Sequence, residues 1–155
     1  MFAFEGTGGD RVDPEGDGNM SEPFLARLAK DADLLDSITG AFKERSISKA
    51  SFTVIGAVEG AVLAYYDHRE RTYKSKEFSG LMEITSCTGN VSFKDGQIFV
   101  HAHIILAGHD FQCYGGHLMQ GAKIFAAELH GVPISGQTPE RRFDDPTGLF
   151  LWAEK

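Results

Sequence analysis

His101 and His103 stand one residue apart in a stretch of strand-forming residues, and His117 follows after a short loop and a Gly115-Gly116 pair. Imidazole nitrogen is a strong ligand for divalent transition metals, at about 2.0–2.1 Å for zinc. Three imidazoles meeting at one point would hold such an ion and leave a coordination position open. An open position suits catalysis or small-ligand binding better than a purely structural metal. Zinc heads the list, with iron, copper and nickel also suited to nitrogen ligands.

For the three rings to meet, the backbone must bring them together. Side chains alternate along a strand, so His101 and His103 share a face. A turn centred near His109 sets position 117 opposite position 101, where cross-strand Cβ atoms lie about 5 Å apart. Register decides the outcome, since a slip of one residue sends His117 to the far face. Gly115-Gly116 could host a bulge or clear space for a ligand. A lone strand histidine is usually a core or surface residue; the third one across a hairpin is what lifts the pair above that reading.

Two carboxylates in apolar strands, Glu83 and Glu128, are candidates for a fourth ligand, a partner to a ligating histidine, or a general base. Each could equally face solvent. His68, His109 and His130 fall in or beside loops and read as solvated. Cys87 and Cys113 form no C-x-x-C pair and read as small buried residues.

The surrounding chain reads as one domain. Its 155 residues, 42% hydrophobic and 24% charged, suffice for a self-standing core. Residues 1–22 form a glycine-rich, acidic lead-in, and 23–155 the domain itself. A strand is expected at 24–28. A helix over about 33–45 follows, with Leu34, Leu35, Ile38, Ala41 and Phe42 on one face, acidic residues near its start, and Lys43 and Arg45 at its end. Strands follow at 50–55 and 61–66, with Gly56 and Gly60 as a bend between them. Further strands fall at 78–86, 91–93, 98–106, 111–119, 124–129 and 149–152, with Gly89-Asn90 as a break and Asp95-Gly96 as a hairpin turn. One principal helix against some seven hairpin-linked strands predicts an α+β fold with a mainly antiparallel sheet.

Charge argues against nucleic acid as a direct partner. Twenty-two acidic residues against 15 basic give a net charge of −7. Binding driven by counterion release needs a basic face. The short basic clusters at 68–71 and Arg141-Arg142 read as solvated surface. No apolar run approaches the roughly 18 residues that span a bilayer, so no membrane partner is expected. The N-terminal stretch lacks the pattern of a secretory signal, so cytoplasmic residence is the expectation.

The motifs His101-Ala102-His103 and Gly115-Gly116-His117-Leu118 resemble the H-x-H…G-G-H-L signature of bacterial members of the plants-and-prokaryotes conserved (PPC) domain family. Those members are commonly labelled DNA-binding proteins with a PD1-like motif. The likeness runs over about residues 24–152. It takes in Ile55-Gly56-Ala57-Val58, the segment Glu83 to Val91, Ala127-Glu128-Leu129 and the ending Arg141 to Trp152. It implies an antiparallel sheet flanked by a helix, assembled as a homotrimer; a small-molecule or protein ligand is the expected partner. In plant members DNA binding belongs to AT-hook segments, and this sequence contains no Gly-Arg-Pro core. Plant members read Gly-Arg-Phe-Glu-Ile where this chain has Gly80-Leu81-Met82-Glu83-Ile84. A more distant likeness is to acetolactate decarboxylase, which holds zinc through H-x-H and a third histidine on the next strand. That likeness maps onto His101, His103 and His117 but supplies no match for the enzyme's other active-site groups. Two functions follow: a trimeric metal-binding regulatory or interaction module, or a metal-dependent enzyme, decarboxylase- or hydrolase-like, acting on a small oxygenated substrate.

Overall fold

The computed structural model describes residues 22–154, so the lead-in expected over 1–22 lies, Glu22 apart, outside the described residues. Strand β1 (Phe24–Leu28) precedes helix α1 (Leu34–Glu44). Then come β2 (Ala50–Asp67), β3 (Thr72–Lys94), β4 (Gln97–Ala107), β5 (Cys113–Leu118), β6 (Ile124–Pro133), β7 (Glu140–Asp144) and β8 (Leu149–Trp152). They form one sheet in the order β1-β6-β2-β5-β4-β3-β7-β8, and β2 also pairs with β3. Every pairing between these strands is antiparallel except the short β3–β7 contact. The α+β, mainly antiparallel class expected from the sequence is the one observed.

Two expected breaks are absent. Gly56 and Gly60 do not divide the chain into two strands, and Gly89-Asn90 does not interrupt the next one. β2 and β3 run unbroken and pair along almost their whole length, with register shifts near Gly56 and Gly60. The glycines serve close approach and bulging instead. Gly56 has φ +137°, and a Cβ there would run into the Ala126 carbonyl of β6. The ladder also closes on itself: β2 pairs with β3, β3 with β4, β4 with β5, and β5 with β2 through Leu63–Leu118 and Ala64–His117.

Helix α1 covers one face of this sheet. Leu34, Ile38 and Phe42 are fully buried, at the spacing of one helical face. Phe42 meets Phe24 edge-on at 5.4 Å and Phe52 at 5.8 Å between ring centroids. Asp33 begins the helix: its carboxylate accepts from the Asp36 amide at 3.0 Å, and also from the amides of Gly121 at 2.7 Å and Ala122 at 3.1 Å. One side chain thus caps the helix and ties down the loop before β6. Asp33→Ala is expected to cost about 1–3 kcal/mol, read from the urea midpoint, as a lost cap plus amides left without their acceptor. Among the described residues no helix is long and apolar enough to cross a membrane.

Alternation sorts β4 cleanly. Val100, Ala102, Ile104 and Leu106 point into the core. His101 and His103 therefore emerge on the opposite face.

Candidate metal centre

The β4–β5 hairpin sets His103 directly opposite His117, and Ile105 opposite Gly115. The connecting loop centres on Asp110, not His109, which moves the register by two residues from the expected pairing of 101 with 117. A shift of two preserves the face. All three rings consequently meet: centroids are 5.2 Å apart for His101–His103, 4.9 Å for His101–His117 and 5.4 Å for His103–His117. One nitrogen from each lies within 4.8 Å of the others.

No bulge forms at Gly115-Gly116. Gly116 is on the core side, where a Cβ would stand 2.9 Å from the Ala64 carbonyl and 3.3 Å from Leu63 Cβ. Its role is to let β2 close against β5. Gly115 is on the histidine face and, with Ser86 and Thr88, lines a recess that reaches His103. Gly115, whose missing side chain would stand on this face, matches the expectation that the pair clears space beside the site.

Burial and mutual repulsion hold His101 and His117 toward the neutral form. Loss of hydration, followed by His117, Arg141 and His103, pulls the pKa of His101 down to about 4. His117 is lowered by the same loss of hydration, then by His103 and Arg141. Neutral imidazole is the form that ligates a metal, so near pH 7 these two rings need no deprotonation first. His101 also gives metal-free protein a pH dependence. Its folded value lies below the unfolded value of about 6.5, so the unfolded chain takes up a proton first on acidification. Stability from this group is complete above about pH 6.5 and lost as pH falls toward 4. Urea midpoints of wild type and His101→Gln, compared from pH 7.5 to 4, should show the wild type losing ground steadily.

Arg141 is the residue that sequence reasoning missed. It was expected on solvated surface, yet it is 7% exposed. Strand β7 lays it over the histidine face, where β7 pairs with β3 at only two positions. Its Nε donates to Ser92 Oγ at 3.0 Å, Nη1 to the Phe150 carbonyl at 3.0 Å, and Nη2 to Asn90 Oδ1 at 2.9 Å. Nη2 also lies 3.4 Å from His101 Nδ1. The local partner of β7 is β8, and its two-position contact with β3 spans some fifty residues of sequence, so its docking over the site leaves little local signal; the paired cations in Arg141-Arg142 were the visible clue. Tyr73 is the other unforeseen neighbour, its ring 5.2 Å from that of His117.

The remaining candidates stand apart from the cluster. Glu83 pairs with Ala107 at the far end of β4, is exposed, and does not join the three histidines. Glu128 on β6 pairs with Arg27 and Ile55, is exposed, and likewise does not join them. His68, His109 and His130 are exposed, as expected. The cysteines divide: Cys87 is buried, which pushes its thiol up to about 12, whereas Cys113, expected in the core, is exposed at the start of β5.

The chain matches the family model of the Plants and Prokaryotes Conserved domain over residues 15–130. It is 45% identical to a metal-containing protein from Archaeoglobus fulgidus, with a TM-score of 0.83 over 88% of this chain and 96% of that one. A plant- and prokaryote-conserved protein from Pyrococcus horikoshii is 32% identical, with a TM-score of 0.82 over 87% of this chain and 93% of that one. No curated protein matches. A family match across most of the sequence, joined to close relatives that share nearly the whole fold, leads to one assignment: the chain belongs to the plants-and-prokaryotes conserved domain family.

Proposed function

We propose that this chain is a metal-binding regulatory or interaction module that works as a homotrimer and holds a divalent transition metal, zinc foremost, through His101, His103 and His117. The observation that carries the reading is the meeting of three imidazoles, one nitrogen from each within 4.8 Å of the others. The similar Archaeoglobus fulgidus protein is metal-containing, which supports it. The donor set fits: two of the rings are driven toward the neutral form, and all three emerge from paired strands. A bound ion with an open position would supply Lewis-acid polarisation or a water of lowered pKa. The chain's own contribution is to aim three imidazole nitrogens at one point and to keep Arg141 beside them.

A module without catalysis is preferred because neither Glu83 nor Glu128 stands at the cluster to act as a base. One observation favours the alternative, a metal-dependent enzyme on a small oxygenated substrate: a cavity of about 480 Å³ opens onto His101 and His117. Elemental analysis of purified protein tests the metal reading. One equivalent per chain is expected, and protein that binds no divalent metal after dialysis against zinc would retire it.

A further inference from the structure

The cavity over His101 and His117 carries a chemical signature of its own. Arg71, Lys94 and Arg141 contribute to its wall, and no carboxylate does. Among the described residues none of these three cations has an acidic partner; the ion pairs present belong to Lys30, Lys74 and Lys123. Arg71 instead donates to the Asp145 carbonyl. Lys94 sits over the Phe150 ring at 3.8 Å. Arg141 is the costliest of the three, because a buried cation without an anion is destabilising unless something neutralises it. Every polar partner it has is neutral: Ser92, Asn90, the Phe150 carbonyl and the His101 ring. Neutral oxygens take three of its five N–H donors, and the 3.4 Å approach to His101 is long for a hydrogen bond. Donor capacity for about two further bonds remains, which is what a carboxylate accepts from an arginine.

The rest of the wall describes the body of the ligand. Tyr73, Phe99 and Phe150 line the same space. Phe99 also lies under the guanidinium of Arg141, at 5.2 Å. A cavity of about 480 Å³ is of the size that encloses small organic molecules. Aromatic walls favour a planar or apolar body over a strongly hydrated inorganic anion such as phosphate.

From the buried, unneutralised guanidinium in this aromatic-walled cavity, we infer that the site takes a small organic carboxylate, its carboxylate against Arg141 and its body among Tyr73, Phe99 and Phe150. The inference goes beyond the metal reading and does not need a metal: the arginine and the aromatic wall are present whether or not the histidines are loaded. It names the ligand that either function would use, as effector of a regulatory module or as substrate of an enzyme.

Titration calorimetry with benzoate as the probe, and benzamide as its neutral counterpart of the same shape, tests it on both metal-free and zinc-loaded protein. Saturable benzoate binding is expected in both forms, with benzamide at least about tenfold weaker, as loss of a charged hydrogen bond implies. Arg141→Gln should weaken benzoate by about tenfold or more. Because Arg141 also braces β3 and β8, Lys94→Gln serves as a second variant and should weaken benzoate severalfold with the fold intact by circular dichroism. Equal binding of benzamide and benzoate, absence of saturable benzoate binding in either form, or unchanged affinity in folded Lys94→Gln and Arg141→Gln protein would each overturn the inference. Failure to bind zinc leaves the benzoate result standing, so the two ideas fall separately.

Discussion

His117→Ala protein is expected to emerge from purification without metal, while His109→Ala protein retains a full equivalent. Position 117 faces His103 across the hairpin and lies 4.9 Å, centroid to centroid, from His101, so its removal opens the cluster. Losing a group that merely orients a ligating histidine lowers affinity about 10–100-fold, and losing a ligand should exceed that. Metal binding to the folded state raises stability by about 2.7 kcal/mol at a hundredfold excess over Kd. Added zinc should therefore raise the melting temperature of wild type and do nothing for His101→Ala or His117→Ala. Metal-free stability should change little, within about 1 kcal/mol, because half-buried neutral rings leave no orphaned charge. A full equivalent of metal in both variants would contradict the assignment of ligands.

The second large effect lies beneath the site. Gly89 of β3 pairs with Ala102, between the two histidines of β4. A Cβ at Gly89 would overlap the His101 carbonyl and the Phe52 ring. Both obstacles are fixed, one by the ladder and the other by the packing of Phe42 and Phe52. Gly89→Ala should cost about 1–3 kcal/mol as overpacking, and it should also lower metal affinity, since the backbone that must yield carries His101. Gly40, inside α1, is the contrasting case. Nothing lies within 4 Å of a Cβ added there, so Gly40→Ala should gain about 0.5–1 kcal/mol from helix propensity. Urea unfolding with and without zinc separates the two substitutions by sign. Equal stability of Gly89→Ala and wild type would contradict the close approach of β3, β4 and Phe52.

Much of the site was legible from local pattern, because period-two alternation decides the face without reference to the rest of the fold. His101 and His103 needed only to lie in a strand. His117 needed the parity of a hairpin, and an error of two residues in the loop centre did no harm. The Asp95-Gly96 turn was equally local: both residues have positive φ, 52° and 69°, as a two-residue hairpin requires. Reasoning failed where one residue type serves two geometries. Gly56, Gly60 and Gly89 signal a break and a close approach alike, and only the neighbouring strand decides between them. It failed again for Arg141, whose burial depends on β7 docking beside a strand some fifty residues earlier in the chain. No spacing in the sequence encodes that encounter.

The closed ladder of β2, β3, β4 and β5 has a consequence for how the histidines meet an ion. Both edges of β4 are occupied, by β3 and β5, and β5 lies between β4 and β2. Amide protons along these strands should thus be among the last to exchange with deuterium, because they can be released only by opening the circuit. The entropy of gathering three ligands is then spent during folding, before any ion arrives. On the proposed metal reading, an ion that requires a very different spread of nitrogens would have to strain the whole ring, so the stiffness of the backbone would add to the chemistry of the imidazoles in selecting among metals.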